Sequence, residues 1–214
     1  MPLSLAPHIH LAVLGDDAVF LDAAADTYVC VPDGRLLLRP TADGGALSPM
    51  SPDVAGELAD AGYVDAQAEP IPRRLPPLPL RDLGDAQAEP VSLSDAARLG
   101  GALWDLFWRY RGRPLPAILS CAQRGRKGRS DPNEVVRLAR VFQAAAVWLP
   151  MPRKCLVRSF VLLRFLQRSG HDAQWVFGVT TWPFSAHCWL QLDDVALDDW
   201  AERLVVYEPI MAVG

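Results

Sequence analysis

A cysteine, a histidine and an acid are the parts of a nucleophile, a proton carrier and its orienting partner, and this chain offers all three in order. Cys155 follows Pro150, Pro152, Arg153 and Lys154 and opens a helical pattern expected over 154–169. The prolines keep the preceding backbone extended. A thiol at a helix N-terminus faces unpaired backbone amides and the positive end of the macrodipole. Both favour the thiolate, and the two adjacent cations act the same way. The same amides are placed to stabilise an oxyanion. By position alone, a buried structural cysteine is an equally good description of Cys155.

His187 changes that balance. It lies in the strand pattern 186–192, where alternation sets His187, Trp189 and Gln191 on one face and Ala186, Cys188, Leu190 and Leu192 on the other. Parity therefore sets Cys188 aside as a rival nucleophile. The acid is Asp198 or Asp199. A two-residue turn at Asp193-Asp194 would put Asp198 on the His187 face, whereas a three-residue turn or a bulge would bring Asp199 opposite His187. Spacing leaves both open.

The elements expected to hold these residues begin near Ser92. Ser92 or Ser94 caps a helix to about Arg111, with Leu99, Leu103, Leu106, Phe107 and Tyr110 on one face. A short helix is expected over 116–123. Asp131-Pro132-Asn133-Glu134 is a helix-start signal for a helix reaching about Trp148. After the Cys155 helix come strands expected at 173–180, 186–192, 195–199 and 204–213. Residues 65–90 read as a linker, because Pro70, Pro72, Pro76, Pro77 and Pro79 forbid a helix. The hexapeptide Asp-Ala-Gln-Ala-Glu-Pro occurs there twice, at 65–70 and 85–90. Before the linker, residues 1–64 read as three strands (about 8–14, 18–22 and 26–31), a small-residue loop over 41–51, and a helix from Pro52 to Ala61 capped by Ser51.

Composition narrows the functional classes. The chain has 214 residues, half of them hydrophobic and 21% charged, which is the balance of a globular protein with room for a sizeable core. A net charge of −4 gives no general field for nucleic acid. The basic cluster Arg124, Arg126, Lys127 and Arg129 sits among glycines and reads as a solvated loop. No apolar run has the length of a membrane span, and the start lacks a signal-peptide pattern, so a cytoplasmic protein is expected. Cys30, Cys121, Cys155 and Cys188 are scattered, without the spacing of a zinc site or disulfide framework. His8 and His10 in the first strand have no metal-binding companions, and His171 follows Gly170 in a solvated turn. No metal site is expected.

The run Pro150-Met151-Pro152-Arg153-Lys154-Cys155-Leu156-Val157-Arg158-Ser159, with Gly178-Val179, Pro183-Phe184, Ala186-His187-Cys188-Trp189 and Leu197-Asp198-Asp199, resembles the lasso-peptide leader peptidases, or B proteins. The resemblance covers about 150–200, with weaker helical similarity from about 92. It implies an α+β protein: a small winged-helix-like leader-recognition domain at 1–64, the linker at 65–90, and a transglutaminase-like or papain-like cysteine protease domain at 91–214. That family ends its motif with Asn-Asp, the second residue completing a Cys-His-Asp triad. The carry-over gives Cys155, His187 and Asp199, with an aspartate departing from the pattern at 198. The implied activity is removal of the leader from a ribosomally made precursor. A partner lasso cyclase, not this chain, would use ATP, and no cofactor is bound directly.

The N-terminal unit is similar in strand order to the leader-recognition domains of peptide-modifying systems, of the pyrroloquinoline-quinone chaperone type. That likeness implies a leader adding as a strand beside the third strand and packing on the helix. The residues it points to are Tyr28, Val29, Val31, Val54, Leu58 and Tyr63, each of which reads equally well as ordinary core. Two other classes share the site residues: an acyl transferase of the transglutaminase kind, and a non-catalytic peptide-binding chaperone.

Overall fold

The computed structural model describes residues 2–65, 67–84, 89–125 and 130–214. Arg126, Lys127 and Arg129 of the basic cluster, and residues 85–88 of the second hexapeptide, lie outside the described residues. The chain forms two compact units. One comprises Met1–Leu75, Gly178–Ala186 and Glu208–Met211; the other comprises Pro76–Phe177, His187–Tyr207 and Ala212–Gly214.

In the first unit, β2 (Ile9–Leu14), β3 (Asp17–Asp22) and β4 (Thr27–Val31) form an antiparallel meander, after β1 (Leu3–Leu5). The turn between β2 and β3 holds Gly15 at φ 59°, a left-handed conformation that glycine adopts without steric cost. A second sheet has the order β5-β6-β1-β7, with β5 at Leu38–Pro40, β6 at Ala46–Pro49 and β7 at Val64–Asp65. The expected loop over 41–51 therefore contains a strand. Asp43 and Thr41 build the tight turn before it, with Asp43 Oδ1 accepting from Gly45 N–H at 3.1 Å. Helix α1 (Pro52–Asp60) starts where Ser51 Oγ accepts from Val54 N–H at 3.2 Å. Leu5, Ile9, Phe20, Leu38 and Leu47 form the core, and Val31, Val54, Leu58 and Tyr63 pack on it half-buried. The Tyr63 ring stands 5.0 Å from that of Phe20. Segment 178–186 belongs to this unit: Trp182 Nε1 donates to Asp17 Oδ2 at 2.6 Å, and the Phe184 ring lies 5.7 Å from Tyr28.

The second unit packs helices on its part (81–82, 174–177, 187–192, 195–196 and 212–213) of a sheet of order β12-β9-β10-β11-β8. These strands are β8 (Arg81–Asp82), β9 (Gln174–Thr180), β10 (Ser185–Leu192), β11 (Val195–Ala196) and β12 (Glu208–Val213). The proline-rich segment supplies β8, which pairs in parallel with β11. The expected strands at 195–199 and 204–213 are shorter than their apolar runs: β11 ends at Ala196, and Leu204 closes the one-turn helix α6 (Ala201–Leu204).

The helices are α2 (Leu93–Asp105), α3 (Leu115–Arg124), α4 (Pro132–Ala146) and α5 (Cys155–Arg168). Ser92 and Asp95 cap α2 reciprocally, and Asp131 Oδ1 accepts from Asn133 N–H to start α4. The helix expected to continue to Arg111 instead widens into a π-turn at Leu106–Tyr110, closed by Arg111 N–H to Leu106 C=O at 3.1 Å. The extra residue per turn rotates the apolar stripe, so Phe107 is 56% exposed instead of facing the core. Helix α4 stops at Ala146, two residues short of Trp148. His171 is half-buried and accepts from Asp131 N–H at 3.4 Å, so it is not simply solvated.

Helix α5 is buried on nearly all sides: Val157, Phe160, Val161, Leu162, Leu163, Phe165 and Leu166 are each at most 3% exposed. A helix apolar all round belongs in an interior. Ion pairs to the buried Asp105 hold its C-terminal end. Arg164 Nε donates to Asp105 Oδ2 at 2.9 Å, and Arg168 Nε reaches the same oxygen at 3.1 Å. Fixing α5 fixes its first residue, Cys155.

Candidate active site

Cys155 is the first residue of α5, with Lys154 extended at φ −100°, ψ 137° as its N-cap. No side chain caps this end. The N–H groups of the first turn have no place in the helix's own ladder and face outward from it. The thiol opens on a cleft of about 600 Å³ lined by Gln143, Met151, Arg158, His187, Asp199 and Trp200, among others.

His187 and Asp199 complete a chain of hydrogen bonds. His187 Nε2 lies 2.6 Å from Asp199 Oδ2, and Cys155 bonds to the imidazole, which leaves Nδ1 as the nitrogen facing the sulfur. The ring is held between Trp189, stacked at 6.3 Å, and Tyr207 at 5.2 Å. Asp199 is fixed in turn by Trp200 N–H at 2.8 Å and Arg203 Nη1 at 3.2 Å, both to Oδ1.

The hairpin contains an unexpected combination. Gln191 pairs with Ala196 and Leu192 with Val195, so the turn is the two-residue kind that parity would assign to Asp198. His187 nevertheless meets Asp199. The ladder lapses after Ala196, apart from one bond from Leu197 N–H to Leu190 C=O at 2.8 Å. The Asp198 carboxylate then takes the next strand position: Oδ1 accepts from Leu190 N–H at 2.8 Å and Oδ2 from Ser159 Oγ at 2.6 Å. With Asp198 turned in to the backbone, Asp199 swings to the imidazole.

Past the end of β11, side chains cover the free edge of β10. In an antiparallel strand, alternate residues direct both N–H and C=O to the same side. Leu190 gives its N–H to Asp198 and Cys188 gives its own to the Cys155 sulfur, while Cys188 C=O accepts from Ser159 Oγ at 3.5 Å. Ser159 lies one turn along α5 from Cys155, so the helix lies against this edge. The Cys155 sulfur therefore touches the backbone itself and meets side chains from both faces of β10. Strand parity sets Cys188 apart from His187 and Cys155; instead its thiol comes within interaction reach of the Cys155 sulfur. Neither this contact nor the anchoring role of Asp198 has a signal in the spacing.

The electrostatics follow from these contacts. Hydrogen bonds from Cys188 and His187 outweigh the desolvation of the sulfur and lower the Cys155 thiol to about 4. Burial alone would lower the His187 imidazole, but its bonds to Asp199 and Cys155 raise it to about 10. Burial likewise opposes ionisation of Asp199, yet the bonds from His187 and the Trp200 amide hold it below the usual carboxylate range. At neutral pH the pair is thiolate and imidazolium. An ordinary thiol, with a pKa of about 8.5, keeps only on the order of 10⁻³ or less of its thiolate at pH 5. Cys155 should therefore react with iodoacetamide at pH 5 within a few-fold of its rate at pH 8. Cys30, whose thiol is raised by burial and by Asp17, serves as the internal control and should fall silent. Site-resolved mass spectrometry reads both; loss of Cys155 labelling at pH 5 would contradict the ion pair.

Asp198 is a different kind of acid. Full burial raises it to about 6, against the opposing bonds from Ser159 and Leu190. Its folded value lies above its unfolded one, so the native state holds the proton more tightly. Its contribution to stability is present below about pH 4 and falls as pH rises through 6. Asp198→Ala leaves the Leu190 amide and the Ser159 hydroxyl without an acceptor, at about 1–3 kcal/mol each. Asp198→Asn can accept from Leu190 N–H through its oxygen and donate its amide to Ser159 Oγ, and should cost much less. Urea unfolding of the two variants at pH 7 separates them, and equal losses would contradict the assignment.

The other notable residues lie elsewhere. Cys121 is buried in α3. His10, on β2, is lowered to about 3 by its burial, by Arg73 and by His8. Among the described residues no group of three or more His, Cys, Asp or Glu is arranged to hold a metal ion, and no helix is long and apolar enough to cross a membrane.

The chain belongs to the transglutaminase-like superfamily, whose family model matches residues 88–212. This mixed α+β fold serves cysteine peptidases and acyltransferases. No curated protein and no solved structure matches the chain.

Proposed function

We propose that the protein is a cysteine peptidase that removes the leader from a ribosomally made lasso-peptide precursor, before or together with an ATP-dependent cyclase. The observation that supports this most is the hydrogen-bonded series Cys155, His187, Asp199 beside an open cleft at a helix N-terminus. The Cys155 thiolate attacks the scissile carbonyl. First-turn amides of α5 stabilise the oxyanion. His187, held by Asp199, gives its proton to the leaving amine, which frees the N-terminus of the core peptide. Water, deprotonated by His187, then releases the leader from the acyl-enzyme.

The first unit is read as the leader-recognition part, of the small winged-helix kind. β4 is the outer strand of its three-stranded sheet, so one side of its backbone is not used by that sheet. A leader adding there would run past Tyr28, Val29 and Val31, with Val54, Leu58 and Tyr63 as side-chain contacts. Val29 is 41% exposed; Val31, Val54, Leu58 and Tyr63 also serve the core. Backbone bonds give such an added strand its affinity, and pockets give its selection. Tethering the leader raises the effective concentration of the scissile bond.

The test is to mix the purified protein with precursors encoded beside it, with and without the cyclase and ATP, and to read product masses. Hydrolysis at one bond is expected. Addition of an amine in place of water would make the protein a transferase, and intact precursor in every mixture would overturn the proposal.

A further inference from the structure

We propose that Cys188 is a resolving thiol: a hydroperoxide that oxidises Cys155 leads to a Cys155–Cys188 disulfide, which switches the nucleophile off reversibly. This rests on reading Cys155 as a thiolate nucleophile, but concerns its protection and not its substrate.

The geometry carries the idea in three ways. The Cys188 thiol and the Cys188 amide both come within interaction reach of the Cys155 sulfur. Ser159 Oγ, one helical turn further on, holds the Cys188 carbonyl at 3.5 Å, so α5 is fastened to β10 at this residue. The two sulfurs thus meet between elements already joined. Their exposure differs sharply: Cys155 opens on the cleft, whereas Cys188 is 4% exposed. An oxidant from solvent meets Cys155 first. Cys188 has no use in the peptidase chemistry beyond its hydrogen bonds.

The chemistry balances. The Cys155 thiolate attacks one peroxide oxygen, the O–O bond breaks, and the departing hydroxide takes a proton to become water. Cys155 is then a sulfenic acid. The Cys188 sulfur attacks the Cys155 sulfur, the S–O bond breaks, and the Cys188 proton leaves with the hydroxide as a second water. Two thiols have lost two electrons and the peroxide has gained them. Without a neighbouring thiol, a low-pKa cysteine continues to the sulfinic acid, which dithiothreitol does not reverse.

The experiment exposes the full chain to hydrogen peroxide and follows intact mass, a peptide map, and iodoacetamide labelling of Cys155 before and after dithiothreitol. The wild type should lose two hydrogen atoms, yield a peptide linked between 155 and 188, and regain its labelling on reduction. Cys188→Ser should instead gain two or more oxygen atoms at Cys155 and stay unlabelled. Should that variant misfold by circular dichroism, Cys188→Ala replaces it, and the wild-type peptide map stands by itself. Oxygen gain at Cys155 in the wild type matching that of the variant, or a link to Cys30 or Cys121, overturns the proposal. So does a Cys155 that labels at pH 5 yet ignores peroxide, a result that leaves the peptidase reading intact. Failure to label at pH 5 would sink the thiolate on which both depend.

Discussion

Cys155→Ala is expected to lower precursor cleavage by at least about 10⁴-fold while leaving leader affinity unchanged. The size follows from what alanine removes. In the proposed mechanism the sulfur is the atom that bonds to substrate, and it also receives the Cys188 and His187 bonds that favour its charge. Without it, only positioning and the oxyanion donors remain. The neutrality for binding follows from where the residue lies: Cys155 heads α5, whereas the residues read as leader contacts lie on β4, α1 and the residue before β7. A fluorescent leader peptide measures affinity, and a mass assay with the cyclase present measures cleavage. A Cys155→Ala protein that still cuts, or that no longer binds leader, would each count against the scheme, the first against the nucleophile and the second against the division of labour.

Asp199→Asn should cost roughly 10³–10⁴-fold in kcat with little change in KM. The amide is nearly isosteric and its oxygen can still accept from His187 Nε2, which keeps the ring between Trp189 and Tyr207, while Trp200 N–H and Arg203 lose their acceptor. What is lost is the negative charge that stabilises the imidazolium. The His187 value should fall from about 10, and the thiolate it supports should become scarcer at low pH. Two readouts are therefore linked: the alkylation profile of Cys155 moves to higher pH as kcat falls. Asp198→Asn, in contrast, should leave the alkylation profile close to that of the wild type, because Asp198 bonds to Leu190 and Ser159 and not to the imidazole. If the two asparagine variants behaved alike, the division between an orienting acid and an anchoring acid would be wrong.

The parts of this site that could be read from sequence are those set by local chemistry. Prolines before Cys155 and an apolar helix after it put a thiol at a helix start, and Ser51, Ser92 and Asp131 announce α1, α2 and α4 through their caps. The parts that could not be read depend on distant partners. β11 stops at Ala196 because a buried carboxylate replaces the strand, and no periodicity encodes that exchange. For the same reason hairpin parity pointed to Asp198 for a two-residue turn, while His187 meets Asp199. Parity also separates Cys188 from His187 in direction, yet a sulfur lying against the backbone touches both. The strands β1, β5, β6 and β7 are two to four residues long, too short to show alternation. The π-turn at 106–110 leaves the pattern of a plain helix in place while rotating Phe107 to the surface.

The covered edge of β10 has one more consequence. A strand amide is ordinarily shielded from solvent deuterium by a carbonyl on the next strand, and its exchange reports local unfolding. The amides of Cys188 and Leu190 are shielded instead by a sulfur and a carboxylate. Their exchange rates are thus set by the charge on two side chains. The Cys188 amide becomes an isotopic reporter of the Cys155 sulfur, slow while the sulfur is an anion and faster once it is alkylated, with the rest of the sheet as an unchanged reference.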